Sequence, residues 1–179
     1  MARKPSTEAL YVRTGEQVSA CPVGGSRGLT DGEKALVASV FGPAVDPGPV
    51  TIRRSKWFPL QPRNTVMAPC GHIHFPADHT LYRDDFAGGS LQAQGLFIHE
   101  MTHVWQAQQR GKYWLVLMRH PFCRYDYAIR PGQPLHRYGI EQQAEIVRHV
   151  FLLRQGFALR GAPPLRQLES ILPFKPVRA

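Results

Sequence analysis

The chain has 179 residues, of which 43% are hydrophobic, and its formal net charge is +9. This length is typical of one domain with tails, and the apolar fraction is sufficient for a hydrophobic core. No apolar run approaches the ~18 residues that a membrane-spanning helix requires, so we expect no membrane span.

The distribution of cysteine, arginine and polar residues narrows the functional classes further. The three cysteines are widely spaced, which argues against a disulfide framework. The positive charge would suit an acidic partner, but the arginines are scattered and no nucleic-acid-binding motif accompanies them, so we do not expect a nucleic-acid partner. The polar N-terminus is not followed by an apolar core of signal-peptide length. We therefore expect a protein that is cytoplasmic when synthesised and that, if exported, leaves without a cleaved signal peptide.

The sequence of the first third of the chain predicts an arm, a helix and a strand. Residues 1–28 are interpreted as a flexible N-terminal arm that ends in a glycine-rich segment. Thr30 and Glu33 have the spacing of a capping box, which predicts a helix from Asp31 to about Phe41. Residues 50–53 follow a proline-glycine turn and are predicted to form a short strand.

Residues 64–76 are predicted to form a hairpin that turns near Gly71. Within it Cys70, His72 and His74 alternate, so on a strand all three would face one side. They could form a separate metal site. Structural zinc requires four ligands, however, and the sequence offers no evident fourth. Histidines that line a cleft or face the solvent are the favoured interpretation.

A helix predicted from about Ser90 to Arg110 carries the sharpest chemical signal, the pattern H-E-x-x-H at residues 99–103. Residues four apart lie on the same face of a helix, so His99 and His103 can bind one metal ion. Glu100 would lie beside them and could take a proton from a metal-bound water. The pattern predicts a zinc hydrolase. The alternative is a buried amphipathic helix whose two histidines have ordinary partners.

A second helix, predicted from Ile140 to about Gln155, offers the third ligand that a hydrolytic zinc site needs. Glu141 and Glu145 are four residues apart and share a face of this helix. One carboxylate could bind the metal while the other orients a ligand. The spacing alone leaves both assignments open.

Several other side chains could act near such a centre. Tyr138 precedes Glu141 by three residues, and its hydroxyl is the candidate for stabilising an oxyanion, with packing as the alternative role. The weaker candidates for an oxyanion donor or a ligand are Tyr125, Tyr127, His136 and His149.

The two motifs together resemble the glutamate-type zincins, which are gluzincin-like metallopeptidases. In that group a second helix carries E-x-x-A-[D/E], which begins here at Glu141. The resemblance implies that His99, His103 and Glu141 hold Zn²⁺, that Glu100 is the base, and that Glu145 supports a ligand from the second shell. It also implies an α+β, zincin-like fold, with a small antiparallel sheet or hairpin packed on the motif helix and on the second ligand-bearing helix.

Residues 97–106 also resemble a small bacterial family that carries the motif as H-E-[LM]-T-H-V-x-Q. Its members are often labelled vgr-related through their association with type VI secretion components. The similarity extends from Leu29 to about Phe157. We therefore place a metallohydrolase domain at residues 29–157, followed by a Pro-rich C-terminal tail at 158–179.

These observations lead to two hypotheses from different functional classes. The first is a zinc metallopeptidase that cleaves a peptide bond of a peptide or protein substrate through attack of a zinc-bound water assisted by Glu100. The alternative is a non-catalytic, metal-binding accessory module of a type VI secretion or toxin system, with a secretion-system partner. The sequence does not identify the substrate or the oligomeric state.

Overall fold

A computed structural model describes residues 20–118 and 123–175 of the chain. The elements in chain order are β1 (Ser26–Gly28), α1 (Asp31–Phe41), β2 (Thr51–Arg53), β3 (Ile73–His74), α2 (Leu91–Arg110), α3 (Trp114–Met118), α4 (Ile140–Arg154) and α5 (Leu165–Ser170). Short 3-10 turns occur at Gly42–Ala44 and Leu135–Arg137. The predicted α+β class is confirmed. Most of the predicted arm, residues 1–19, lies outside the described residues, as do residues 176–179 of the predicted tail.

The sheet is mixed, whereas an antiparallel sheet or hairpin was expected. The strand order is β1-β2-β3, with β1 antiparallel to β2 and β2 parallel to β3. The parallel pair is possible because the long irregular segment 54–72 brings β3 back in the same direction as β2. The segment that forms β1 was assigned to the arm, but its backbone pairs with β2 in a regular register.

The predicted hairpin at residues 64–76 is reduced to a single bridge. Met67 and His74 exchange two backbone hydrogen bonds, of 3.2 Å and 2.8 Å, in antiparallel orientation. No further pair of the described residues extends this ladder, because the chain on either side turns irregularly. β3 therefore gains most of its pairing from β2.

The predicted capping box of α1 is confirmed, and it joins three parts of the fold. Thr30 Oγ1 accepts a hydrogen bond from the Glu33 N–H (3.1 Å), and Glu33 Oε2 accepts one from the Thr30 N–H (2.9 Å). The fully buried Glu33 carboxylate also binds both guanidinium nitrogens of Arg27 at 2.7 Å and 2.8 Å, and it accepts the Phe86 N–H at 2.9 Å. This single carboxylate therefore links β1, α1 and the segment that leads into α2.

Helices α2 and α4 pack against each other at the centre of the core. Gly95 marks their closest approach, because a Cβ atom there would lie 3.2 Å from the Leu152 side chain. The Ser90 side chain caps the start of α2, and Gly111 ends it with φ +100°. Both helices contribute buried apolar residues to the common core, namely Phe97, Ile98, Met101 and Val104 from α2 and Ile146, Val147, Val150 and Phe151 from α4. Among the described helices, none is both long enough and apolar enough to cross a membrane.

The buried His74 on β3 should make the protein less stable in acid. Burial, aided by the charge of Arg53, lowers the pKa of this side chain from 6.5 to about 4. The unfolded chain would bind a proton here near pH 6.5, but the folded chain would do so only near pH 4. The free energy of unfolding should therefore fall as the pH drops through this window, by at most about 3 kcal/mol.

The measurement is urea unfolding at about pH 7 and about pH 5 for three proteins. His74→Gln should lose part of the pH dependence of the wild type. The control His136→Gln changes an exposed histidine and should retain it. An identical pH dependence in all three proteins would contradict the assignment.

Candidate metal centre

Three side chains that the sequence singled out converge between α2 and α4. The Nε2 atoms of His99 and His103 lie 3.3 Å and 3.1 Å from the same oxygen, Oε2 of Glu141. All three residues are buried. Among the described residues they form a group of His, Cys, Asp or Glu side chains whose ligand atoms all lie within 4.8 Å of one another.

The donor atoms have the spacing that a tetrahedral ion requires. Two atoms that each lie about 2.0–2.1 Å from a tetrahedral zinc are about 3.3 Å apart. The two nitrogen–oxygen distances, 3.3 Å and 3.1 Å, agree with that separation. Imidazole nitrogen together with a carboxylate oxygen suits zinc and other divalent transition metals. These residues therefore fit a bound divalent cation.

The opposite edges of the two imidazole rings are held by other side chains. Nδ1 of His99 lies 2.8 Å from Oε1 of Glu145, and Nδ1 of His103 lies 2.9 Å from Oε1 of Gln106. An acceptor beside Nδ1 favours the tautomer that carries its proton there. Each ring then presents the lone pair of Nε2 to the centre.

The electrostatics of the group favour a positive charge at its middle. Burial lowers the pKa of His99, but the carboxylates of Glu141 and Glu145 outweigh it and raise the pKa to about 9. Burial raises the pKa of Glu145, but His99 and Arg148 lower it to about 2, so this carboxylate is ionised at neutral pH. A divalent cation would satisfy the same negative field, and it would displace a proton from His99 on binding.

Glu100 lies within the motif, and one of its carboxylate oxygens has no partner. The side chain is buried, and Oε2 makes no hydrogen bond to any described residue. Its negative charge is one of the influences that raise the pKa of His99, the preceding residue in the chain. A buried carboxylate oxygen without a partner is unfavourable unless a ligand or a proton uses it. Oε2 of Glu100 is therefore free to interact with a ligand or a proton.

The structure does not bring Tyr138 to this group. Its hydroxyl accepts a hydrogen bond from the Arg130 N–H at 3.0 Å. The side chain lines a separate cavity of about 880 Å³, whose walls include none of the three ligand residues. Because the hydroxyl is held by the backbone, we assign Tyr138 a packing role.

Tyr125 lies next to the candidate metal centre. Its ring stacks on His99, with the ring centroids 6.2 Å apart and the planes inclined by 18°. It also lines a cleft of about 510 Å³ together with His103 and Glu141. The sequence favoured Tyr138 because it precedes Glu141 by three residues, whereas Tyr125 lies in the connecting irregular segment.

The remaining candidates have ordinary surroundings. Tyr127 and His149 pair through the hydroxyl and Nδ1 at 2.6 Å, and Nε2 of His149 lies 3.4 Å from the Glu145 carboxylate. They therefore support Glu145 and do not reach the ligand group. His72 pairs with a threonine hydroxyl at 3.0 Å, and the described residues contain no metal-ligand group built from Cys70, His72 and His74.

Gln106 is a residue near the centre to which the sequence alone assigned no role. Besides its contact with His103, its amide nitrogen donates to the Ile140 carbonyl and to Oε1 of Gln143, both at 3.0 Å. Gln143 in turn donates to the Tyr138 carbonyl at 2.7 Å. This buried chain joins the motif helix to the start of α4. The sequence could have indicated this role, because Gln106 follows His103 by three residues and so lies on the same face of the helix.

We expect Gln106→Leu to weaken zinc binding by about 10–100-fold, because the His103 ring loses the acceptor that orients it. The free energy of unfolding should also fall by about 1–3 kcal/mol, because the Ile140 carbonyl and Gln143 lose a buried partner. The measurements are a competition titration with a chelator of known affinity and urea unfolding. Gln109→Leu, at an exposed position of the same helix, should leave the zinc affinity unchanged.

No protein-family model matches the chain, but it is similar to a protein of a type VI secretion system. The type VI secretion system spike protein VgrG2b of Pseudomonas aeruginosa is 41% identical over 143 residues, which are 76% of this chain and 14% of that protein. The solved structure of the effector domain of Pseudomonas aeruginosa VgrG2b has a TM-score of 0.66 and 36% identity, and the match covers 89% of this chain and 86% of that one. The chain thus spans a small part of the curated protein but nearly all of the solved domain.

Proposed function

Because the chain belongs to the family of the VgrG2b effector domain, we propose that it acts as an effector domain of a type VI secretion system and hydrolyses peptide bonds at a zinc centre. The secretion context rests on the extent and identity of the match to that domain. The hydrolytic activity rests on one observation. Two imidazoles and a carboxylate converge at the spacing of a tetrahedral ion, and Glu100, the residue after His99, is buried with an unpartnered oxygen.

Each side chain of the centre has a part in this proposal. A zinc ion held by His99, His103 and Glu141 would polarise the substrate carbonyl and lower the pKa of a water at its open position. Glu100 accepts the proton of the attacking water and returns it to the leaving amine. Tyr125, which stacks on His99, is the tyrosine whose hydroxyl we expect to donate to the developing oxyanion.

The competing function is a non-catalytic accessory module of the same secretion system. The comparisons support its secretion-system part directly, since the relative is named as a spike protein. A metal site that serves only structure is usually closed by four protein ligands. Among the described residues the group has three members, and this number, together with the buried Glu100, favours hydrolysis over the alternative. In either case we expect a protein of the secretion system as a partner.

The test is cleavage of an unstructured protein by the chain after chelation and after zinc is supplied again. New N-termini, counted by mass spectrometry, should appear with the zinc-supplied chain and be absent after chelation. If the chain binds one equivalent of zinc and still produces no new N-termini, the accessory function replaces the enzymatic one.

A further inference from the structure

The cleft beside the metal centre differs in chemistry from the rest of this basic protein. From its walls we propose that it binds a bulky apolar side chain of a polypeptide substrate, next to the bond that is cleaved. The inference rests on the proposed hydrolytic centre and specifies its substrate class.

The cleft lies between the segment 57–69 and α3, and it reaches two of the metal-ligand residues. Its volume is about 510 Å³, and its lining includes His103 and Glu141. Sites for small ligands typically measure about 300–1,000 Å³. The apolar side chains that form most of its walls are Trp57, Phe58, Met67, Leu115, Val116 and Tyr125.

The described part of the cleft lining offers no charged partner to a substrate. Among residues 20–118 and 123–175 it contains no Lys, Arg or Asp, and its one carboxylate, Glu141, faces the two histidines. Ala68, Leu115 and Ile140 are buried at 1%, 3% and 7% exposure. A charged group that entered here would lose its water without gaining a partner. The described wall of the cleft therefore carries none of the cations behind the net charge of +9, and it offers an acidic polymer no counter-charge.

Large apolar side chains are also exposed around the opening of the cleft. Trp57, Val116 and Tyr125 line the cleft and are 37%, 37% and 50% exposed. Leu60 and Leu117, next to the two walls in sequence, are 85% and 82% exposed. Exposed apolar groups that cluster around a cleft mark a surface that a ligand covers. A polypeptide lying across the opening would cover them while one side chain enters the cleft.

These properties separate two of the peptide substrates that a zinc hydrolase could cleave. Cell-wall stem peptides carry carboxylates and small D-alanine methyl groups, which would leave the cleft unfilled or bring charge into it. A leucine or phenylalanine side chain would fill it and remove apolar surface from water. The structure therefore favours a protein or peptide with a bulky apolar residue over a cell-wall cross-link.

The experiment measures peptide binding to the zinc-loaded Glu100→Gln chain, so that turnover does not interfere. The probes are blocked alanine-serine hexapeptides with a single central Phe, Leu, Lys or Asp, together with an acidic cell-wall stem peptide. The Phe and Leu peptides should bind at least tenfold more tightly than the others, because burial of a large apolar side chain is worth about that factor or more.

Two neighbouring residues of α3 supply a matched pair of variants in the same background. Val116→Glu places a carboxylate in the cleft, so it should weaken the Phe peptide at least tenfold and strengthen the Lys peptide. Leu117→Glu adds the same charge at a residue that is more exposed and does not line the cleft, so it should change neither affinity. Zinc content and thermal unfolding verify that both variants are folded.

Equal affinities for all hexapeptides, or tighter binding of the stem peptide, would overturn the inference. So would equal effects of the two α3 variants. The proposed function is tested separately by the cleavage assay with the wild-type chain. Selective binding of the Phe peptide without cleavage would leave the apolar site in place and reject the peptidase. Glu100-dependent cleavage without apolar selectivity would support the peptidase and reject the apolar site.

Discussion

Glu100→Gln should lower kcat for peptide hydrolysis by about 10³-fold, within the range that general-base catalysis typically contributes. This corresponds to about 4 kcal/mol of transition-state stabilisation. Glutamine keeps the size of the side chain but cannot accept a proton at this site. Because the proposed ligands are His99, His103 and Glu141, we expect the variant to keep its zinc. The measurements are steady-state kinetics on the best peptide and elemental analysis of the same sample.

The matched control is Glu169→Gln on α5, which removes a carboxylate that pairs with Arg154 of α4 at 2.8 Å. It should leave both kcat and the zinc content unchanged. If Glu100→Gln kept full activity, Glu100 would not be the base. If it lost its zinc, the loss of activity would follow from the missing ion and would not identify Glu100 as the base.

Glu141→Ala should abolish stoichiometric zinc binding, whereas Glu145→Ala should retain zinc with an affinity about 10–100-fold lower. The Glu141 carboxylate oxygen lies within 3.3 Å of both Nε2 atoms, so its removal leaves only two ligands. Glu145 lies on the opposite side of the His99 ring, next to Nδ1, so we expect it to orient that ring and not to bind the ion. Elemental analysis after dialysis, followed by a chelator competition, separates the two results.

Both variants need a test of folding, because both carboxylates are largely buried. Circular dichroism and urea unfolding in the presence of a chelator provide it. Retention of zinc by Glu141→Ala together with its loss from Glu145→Ala would exchange the two roles. Loss from neither variant would place the ion elsewhere in the chain.

The helices that carry the site could be predicted because their signals are local. Thr30 and Glu33 specify the start of α1, and Gly111 ends α2 where it was expected. The sheet was harder to predict, because each strand has only two or three residues. Whether β3 runs parallel to β2 depends on the path of the irregular segment between them, which no periodic pattern encodes.

The sequence by itself determined that His99 and His103 share a helical face and that Glu141 and Glu145 share another, because spacings of four residues act within one helix. Only the tertiary structure decided between the two glutamates. The packing of α2 on α4 directs Glu141 to both Nε2 atoms and Glu145 to Nδ1 of His99.

For the same reason, the sequence alone could not predict which tyrosine lies beside His99 or where the apolar cleft forms. Tyr125 approaches His99 from an irregular segment, and the cleft joins α3 to residues 57–69, which are distant in the sequence. Contacts of this kind depend on how the chain returns to itself in space. Local spacing therefore specified the pair of histidines in the candidate metal centre, while long-range packing decided which glutamate and which tyrosine lie beside them.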